Sequence, residues 1–230
     1  MIRAVIFDFN GVLVDDEHVH FTLLREILAE EGIALSEAQY LERYLGYDDR
    51  GCFETALGEA GQDAGRGRVE ALITRKAERY ATVAETGLRF FPAAADSLSA
   101  LAQRWPLAIC SGALRPEIEF ALERMRLRSQ VLAIVSAEDT NRCKPDPEGY
   151  HLALAALRAH PVARLPGLEA RECLVVEDSL AGVASAKAAG MRAVAVAHTY
   201  NAKELEEAGA DIVLPGLLPL TPDWVEAYFS

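Results

Sequence analysis

The stretch Ala4-Val5-Ile6-Phe7-Asp8-Phe9-Asn10-Gly11-Val12-Leu13-Val14 decides how the rest of the chain is read. Its first four residues are apolar without interruption. Such a run reads as a strand buried on both faces, the kind found in a parallel sheet. The strand delivers Asp8 to its C-terminal end, and Gly11 then lets the backbone turn sharply. In open α/β sheets, ligands bind in the crevice outside the carboxyl ends of the strands. A carboxylate there is placed to ligate a metal or to act as a nucleophile. Taken alone, the stretch fits equally well an aspartate that caps a turn.

Outward from this strand the pattern becomes helical. Asp15-Asp16 starts a helix in which Phe21, Leu24, Ile27 and Leu28 recur at helical spacing until Gly32. Ser36 to Gln39 has the form of a capping box. Asp48-Asp49 can cap a third helix, 58–67 reads as a loop, and a fourth helix spans about 69–83. From Phe91-Pro92 onward, strands (107–110, 131–135, 173–176, 193–196, 212–214) alternate with helices. That alternation predicts a doubly wound parallel α/β sheet. The expected organisation is a Rossmann-like core of residues 1–15 and 87–230, with an inserted α-helical cap domain at 16–86. An insert beside the C-terminal edge of a sheet is suited to act as a lid.

Composition narrows the partners. The 230 residues are 51% hydrophobic, enough for a packed core, and carry a net charge of −12, which argues against nucleic acid or an anionic membrane surface. The same charge means that an anionic substrate needs a locally positive site. No apolar run approaches the length of a membrane span. The chain opens directly on a strand, with no signal-peptide pattern, so a cytoplasmic protein is expected. The four cysteines lack zinc-ligand spacing and read as small buried hydrophobes.

Four motifs fall at or just past the ends of predicted strands: Asp8-Phe9-Asn10-Gly11, Ser111-Gly112, Lys144-Pro145-Asp146 and Glu177-Asp178-Ser179. Strand ends of one parallel sheet share an edge, so these residues can converge. Asp8 and Asp178, with Glu177 nearby, supply hard oxygen ligands for Mg²⁺. Ser111 and Lys144 offer a hydroxyl donor and a compact positive charge to phosphate oxygens. Singly, each motif also fits a cap or a solvated loop; four at successive strand ends argue against coincidence.

This ordered set, Asp8…Ser111…Lys144…Glu177-Asp178, resembles the haloacid dehalogenase superfamily of Asp-nucleophile phosphotransferases. The stretches 10–15 and 177–183 look most like its β-phosphoglucomutase and phosphoglycolate phosphatase branch. The resemblance implies a phosphoric monoester hydrolase acting on a small phosphorylated metabolite through an aspartyl-phosphate. Asp8 would be the nucleophile, and Asp8, Asp178 and the backbone carbonyl of Asn10 would hold Mg²⁺ with Glu177 in support. Ser111, Gly112 and Lys144 would bind the phosphate. His20, Arg50 and Lys76 would contact substrate or control closure from the cap, although Lys76 fits better a solvated helix face. A monomer or weak dimer is expected.

One residue departs from the family pattern. Its phosphatases and mutases carry a second Asp two positions after the nucleophile, as general acid and base; this chain has Asn10. An amide cannot exchange a proton at neutral pH. Three accounts stay open: an engineered trap, a slow enzyme or one whose substrate has a good leaving group, or another residue such as His20 or Asp15 in that role. A sugar-phosphate mutase and a catalytically impaired phosphate-binding protein are the alternatives to the phosphatase reading.

Overall fold

The computed structural model describes residues 1–229. They fall into two compact units: Met1–Asp15 with the chain from Phe90 onward, and Asp16–Arg89. The second unit is helical, formed by α1 (Glu17–Glu30), α2 (Glu37–Arg43), α3 (Asp49–Glu59) and α4 (Arg66–Gly87). The change of unit falls at 89/90 rather than the expected 86/87. Helix α4 runs on to Gly87, and Phe90 then bridges back to Val14.

Local chemistry sets these helix starts. Ser36 Oγ accepts from Gln39 N at 3.3 Å while Gln39 Oε1 accepts from Ser36 N at 3.0 Å, a complete capping box at α2. Asp48 caps α3 by accepting from Gly51 N at 2.8 Å. Helices α1 and α4 pack together. Leu23, Leu24, Ile27 and Leu28 form the buried face of α1, and Val69, Leu72, Ile73 and Tyr80 belong to that of α4. Fully burying side chains of this size stabilises a fold by about 1.5–3 kcal/mol each. Around this seam Glu31 accepts from Arg68 and Arg75, both at 2.7 Å.

The other unit is built on six strands: β1 (Ala4–Phe7), β2 (Leu107–Cys110), β3 (Val131–Val135), β4 (Cys173–Glu177), β5 (Arg192–Val196) and β6 (Ile212–Leu214). All neighbours pair in parallel, in the order β3-β2-β1-β4-β5-β6. Helices α5 (Ala94–Ala102), α6 (Arg115–Arg124), α7 (Glu148–Ala159), α8 (Leu180–Ala188), α9 (Ala202–Glu207) and α10 (Pro222–Phe229) accompany the strands. Every residue of β1, β2 and β4 is buried, as central parallel strands require. Strand β4 ends one residue later than the apolar run suggested, because Glu177 pairs in register with Ala195. Three cysteines are buried as expected; Cys143 is instead exposed, on the loop leading to Lys144. Among the described residues, no helix is long and apolar enough to cross a membrane.

Candidate active site

The register of the central strands assembles the site. Phe7 pairs with Ile109 on one side and Val176 on the other, so Asp8, Cys110 and Glu177 follow side by side at the carboxyl edge. Asp8 is anchored there by donating its backbone N–H to Val176 O at 2.9 Å. Lys144 comes from the segment after β3. Its Nζ donates to Asp8 Oδ1 at 2.8 Å, Glu177 Oε1 at 2.6 Å and the Cys110 carbonyl at 3.2 Å. Three ammonium protons thus meet three acceptors.

Glu177 has no solvent exposure, and both its oxygens are engaged. Oε1 accepts from Lys144 and from Tyr150 OH at 2.8 Å. Oε2 accepts from the backbone N–H groups of Asp178 and Ser179 and from Ser179 Oγ, at 3.0–3.1 Å. Asp178, also buried, accepts at Oδ2 from Thr199 Oγ1. Gly11 sits in the left-handed region at φ +74°, and a Cβ there would stand 2.0 Å from Asp178 Oδ2. Glycine at position 11 therefore meets both a backbone requirement and a close approach.

Ser111 Oγ accepts from Ala113 N at 3.2 Å and lies 3.5 Å from Asn10 Oδ1, the outer limit of a hydrogen bond. Gly112 is exposed beside it.

Burial dominates the titration of these acids. It pushes Asp8 up to about 6, against the pull of Lys144. Burial, with the charges of Glu177 and Asp8, raises Asp178 well above the usual carboxylate range. Burial also acts to raise Glu177, but Lys144 and the hydrogen bonds of Tyr150 and Ser179 outweigh it and hold that carboxyl low. For Lys144, the carboxylates of Asp8 and Glu177 overcome desolvation and keep the ammonium charged.

The helical unit holds its own polar chain. Lys76, only 1% exposed, donates to Asp49 Oδ1 at 2.5 Å and contacts His20 Nδ1 at 2.7 Å. An ammonium can only donate, so Nδ1 accepts and Nε2 carries the proton directed at Asp16 Oδ2, 3.3 Å away. Tyr80 OH donates to the same Asp16 oxygen at 2.5 Å, with its ring stacked on His20. The expected solvated face for Lys76 is thus corrected: helix α4 buries it, and Asp49 compensates its charge. Arg50 lies apart from this chain and pairs with Glu70 at 3.0 Å.

The profile of the haloacid dehalogenase-like hydrolases matches residues 5–196, spanning the sheet from β1 to the end of β5. The chain belongs to this family. It is 29% identical over 231 residues to a phosphoglycolate phosphatase from Rhodospirillum rubrum, covering 98% of this chain and 91% of the relative. A validoxylamine A 7′-phosphate phosphatase from Streptomyces hygroscopicus subsp. limoneus is 28% identical, covering 94% of this chain and 95% of its own length. In structure, CbbY from Rhodobacter sphaeroides, solved with phosphate, superposes with a TM-score of 0.83 at 23% identity. That pair covers 98% of this chain and 100% of the other.

For a haloacid dehalogenase-like hydrolase, the residues present suit a divalent cation. Asp8, Glu177 and Asp178 each offer an oxygen, all within 4.8 Å of one another. An all-oxygen, carboxylate-rich set suits a hard ion such as Mg²⁺. Three carboxylates facing one lysine leave excess negative charge, which a divalent ion would balance. Because both oxygens of Glu177 are engaged, Asp8 and Asp178 are the better placed ligands.

Three site neighbours escaped the sequence reading. Tyr150, Thr199 and His198 sit in segments read only as helix or connection. Thr199 and His198 follow β5, whose carboxyl end shares the same edge, and that was the available signal. Tyr150 gave none, since an aromatic at helical spacing reads as core.

Proposed function

We propose that this hydrolase is a Mg²⁺-dependent phosphatase of small phosphorylated metabolites, working through an aspartyl-phosphate on Asp8. The observation that carries the reading is Lys144 Nζ shared between Asp8 at 2.8 Å and buried Glu177 at 2.6 Å, at the carboxyl edge of a sheet whose family profile matches. The activities of the two phosphatase relatives point the same way.

In this reading an oxygen of ionised Asp8 forms the bond to phosphorus as the ester P–O bond breaks. Water then attacks the aspartyl-phosphate, releasing phosphate and regenerating the carboxylate. Lys144 offsets the charge gathered on Asp8, Glu177 and the ester, and would exchange one of its present acceptors for a phosphate oxygen; Ser111 Oγ and the backbone at Gly112 would donate to the same group. Mg²⁺ held by Asp8, Asp178 and the Asn10 carbonyl would neutralise phosphate charge and orient the group for in-line attack. Glu177 fixes Lys144 rather than touching the ester. The cytoplasm, where small phosphate esters are made and used, is the matching compartment. His20, Lys76 and Arg50, all in the helical unit, keep in this reading the substrate or closure role that the family resemblance implies.

Asn10 favours a second reading, a phosphate-ester binder with little turnover. The two separate on substrates of different leaving group. An aryl phosphate leaves without help, so it should phosphorylate Asp8 and the phosphoenzyme should accumulate in intact mass spectra. An alkyl phosphate needs a proton, and Asn10→Asp should raise its turnover by roughly 10²–10⁴-fold, the worth of a positioned acid–base group. No phosphoenzyme from the aryl ester, with Asp8→Asn indistinguishable from the wild type, refutes the phosphatase reading. Isomer formation from a hexose 1-phosphate would mark a mutase instead.

A further inference from the structure

We propose that Thr199 is a positioning residue for Asp178, one arm of a two-point brace whose other arm is His198. This rests on the metal-dependent reading above and goes beyond it in assigning a role to the loop after β5.

The two side chains are consecutive in sequence and grip two parts of the site that touch each other. Thr199 Oγ1 donates to Asp178 Oδ2. The same oxygen faces the bare α-carbon of Gly11, where a Cβ would stand at 2.0 Å. Oδ2 is therefore clasped between a hydroxyl and a backbone turn, which leaves Oδ1 as the oxygen available to a cation. His198 holds the other side of that turn: its Nδ1 lies 2.8 Å from Gly11 O. A carbonyl only accepts, so Nδ1 carries the proton.

The imidazole has little room for another task. Its ring stacks on Phe91 with centroids 3.8 Å apart and planes 10° apart. Its Nε2 faces Gly216, where a Cβ would stand 3.2 Å away. Phe91 is in turn tied to the same turn, donating its N–H to Leu13 O at 3.1 Å. The contacts close a circuit from the end of β5 to the Gly11 turn, to Asp178, and back to β5. Asp178 is a buried carboxylate beside two others. The brace fixes its orientation before a cation arrives, the usual function of groups hydrogen-bonded to metal ligands.

Isothermal titration of the full chain with Mg²⁺ tests this, beside steady-state turnover of an aryl phosphate. Thr199→Val keeps the shape and removes the donor; it should weaken Mg²⁺ about 10–100-fold, the range for such supporting groups. The Mg²⁺ concentration for half-maximal rate should rise by the same factor, with kcat at saturating Mg²⁺ retained. Thr199→Ser should restore affinity, and Thr199→Ala should match Thr199→Val, so the comparison survives if one variant folds poorly by near-UV circular dichroism. His198→Phe keeps the stack, loses the proton and should weaken Mg²⁺ in the same direction. Unchanged affinity in both Thr199→Val and Thr199→Ala, or Thr199→Ser as weak as they are, overturns the hydroxyl's role; unchanged affinity in His198→Phe overturns the second arm. Wild-type protein that gives no Mg²⁺ isotherm overturns the metal site itself, and the brace with it.

Discussion

Replacing Gly182 with alanine tests the packing beneath the site. In an ordinary helix this change stabilises, since glycine is about 1 kcal/mol less favourable than alanine. Here the sign should reverse. A Cβ on Gly182 would stand 1.8 Å from Glu177 Oε1 and 1.9 Å from its Cδ. Carboxylates at the end of a free side chain simply swing away, but this one is held by Lys144, Tyr150, Ser179 and two backbone N–H groups. Hydrogen bonds to a charged group contribute about 1.5–3 kcal/mol each. Losing two of them and regaining the helix term leaves a net loss of about 2–5 kcal/mol. For a chain of this size that lowers Tm by roughly 4–20 °C. Scanning calorimetry in the presence of a chelator, which removes any metal contribution, reads the effect. Gly58→Ala is the control: it lies in α3 with nothing within 4 Å of its Cβ position, and should be neutral or slightly stabilising. If Gly182→Ala melts with or above the wild type, Glu177 is not held as described, and the reasoning fails.

Two further outcomes probe the helical unit. Glu31 is held below its usual range by hydrogen bonds from Arg68 and Arg75, so its stabilisation is present above the unfolded-state value and lost as pH falls through the lower folded one. Glu31→Gln should cost about 1 kcal/mol at pH 7, given pairs that are partly exposed, and the gap to wild type in urea melts should close from just below pH 4.5 downward; a gap constant from pH 7 to 3 contradicts this. Lys76→Met leaves Asp49 and His20 without their buried cation, and should cost about 3 kcal/mol, the low end for breaking a buried pair because Asp49 is one-fifth exposed; a variant as stable as wild type in the same melts would show that the pair contributes nothing net.

What the sequence by itself determined is the alternation of strands and helices, and with it the sheet. The apolar runs 4–7, 107–110 and 173–176 mark buried parallel strands because burial on both faces leaves no room for polar alternation. It also determined which residues can carry chemistry, because polar residues immediately past such runs share one edge whatever the details of packing. The capping box at Ser36 and the backbone turn at Gly11 are likewise local, since their hydrogen bonds and backbone angles close within four residues, whereas the approach of Asp178 to Gly11 is not. Tertiary structure alone decided the rest. Lys144 could have been a solvated loop residue until the sheet register put Asp8, Glu177 and the Cys110 carbonyl within reach of one ammonium. Lys76 sits on a helix whose sequence does not say which face is covered, and only packing against α1 and α3 buries it. Tyr150, His198 and Thr199 are ordinary in their own segments. Their roles depend on partners 27, 187 and 21 residues away, and contacts across such separations follow from how the strands are ordered rather than from any local pattern.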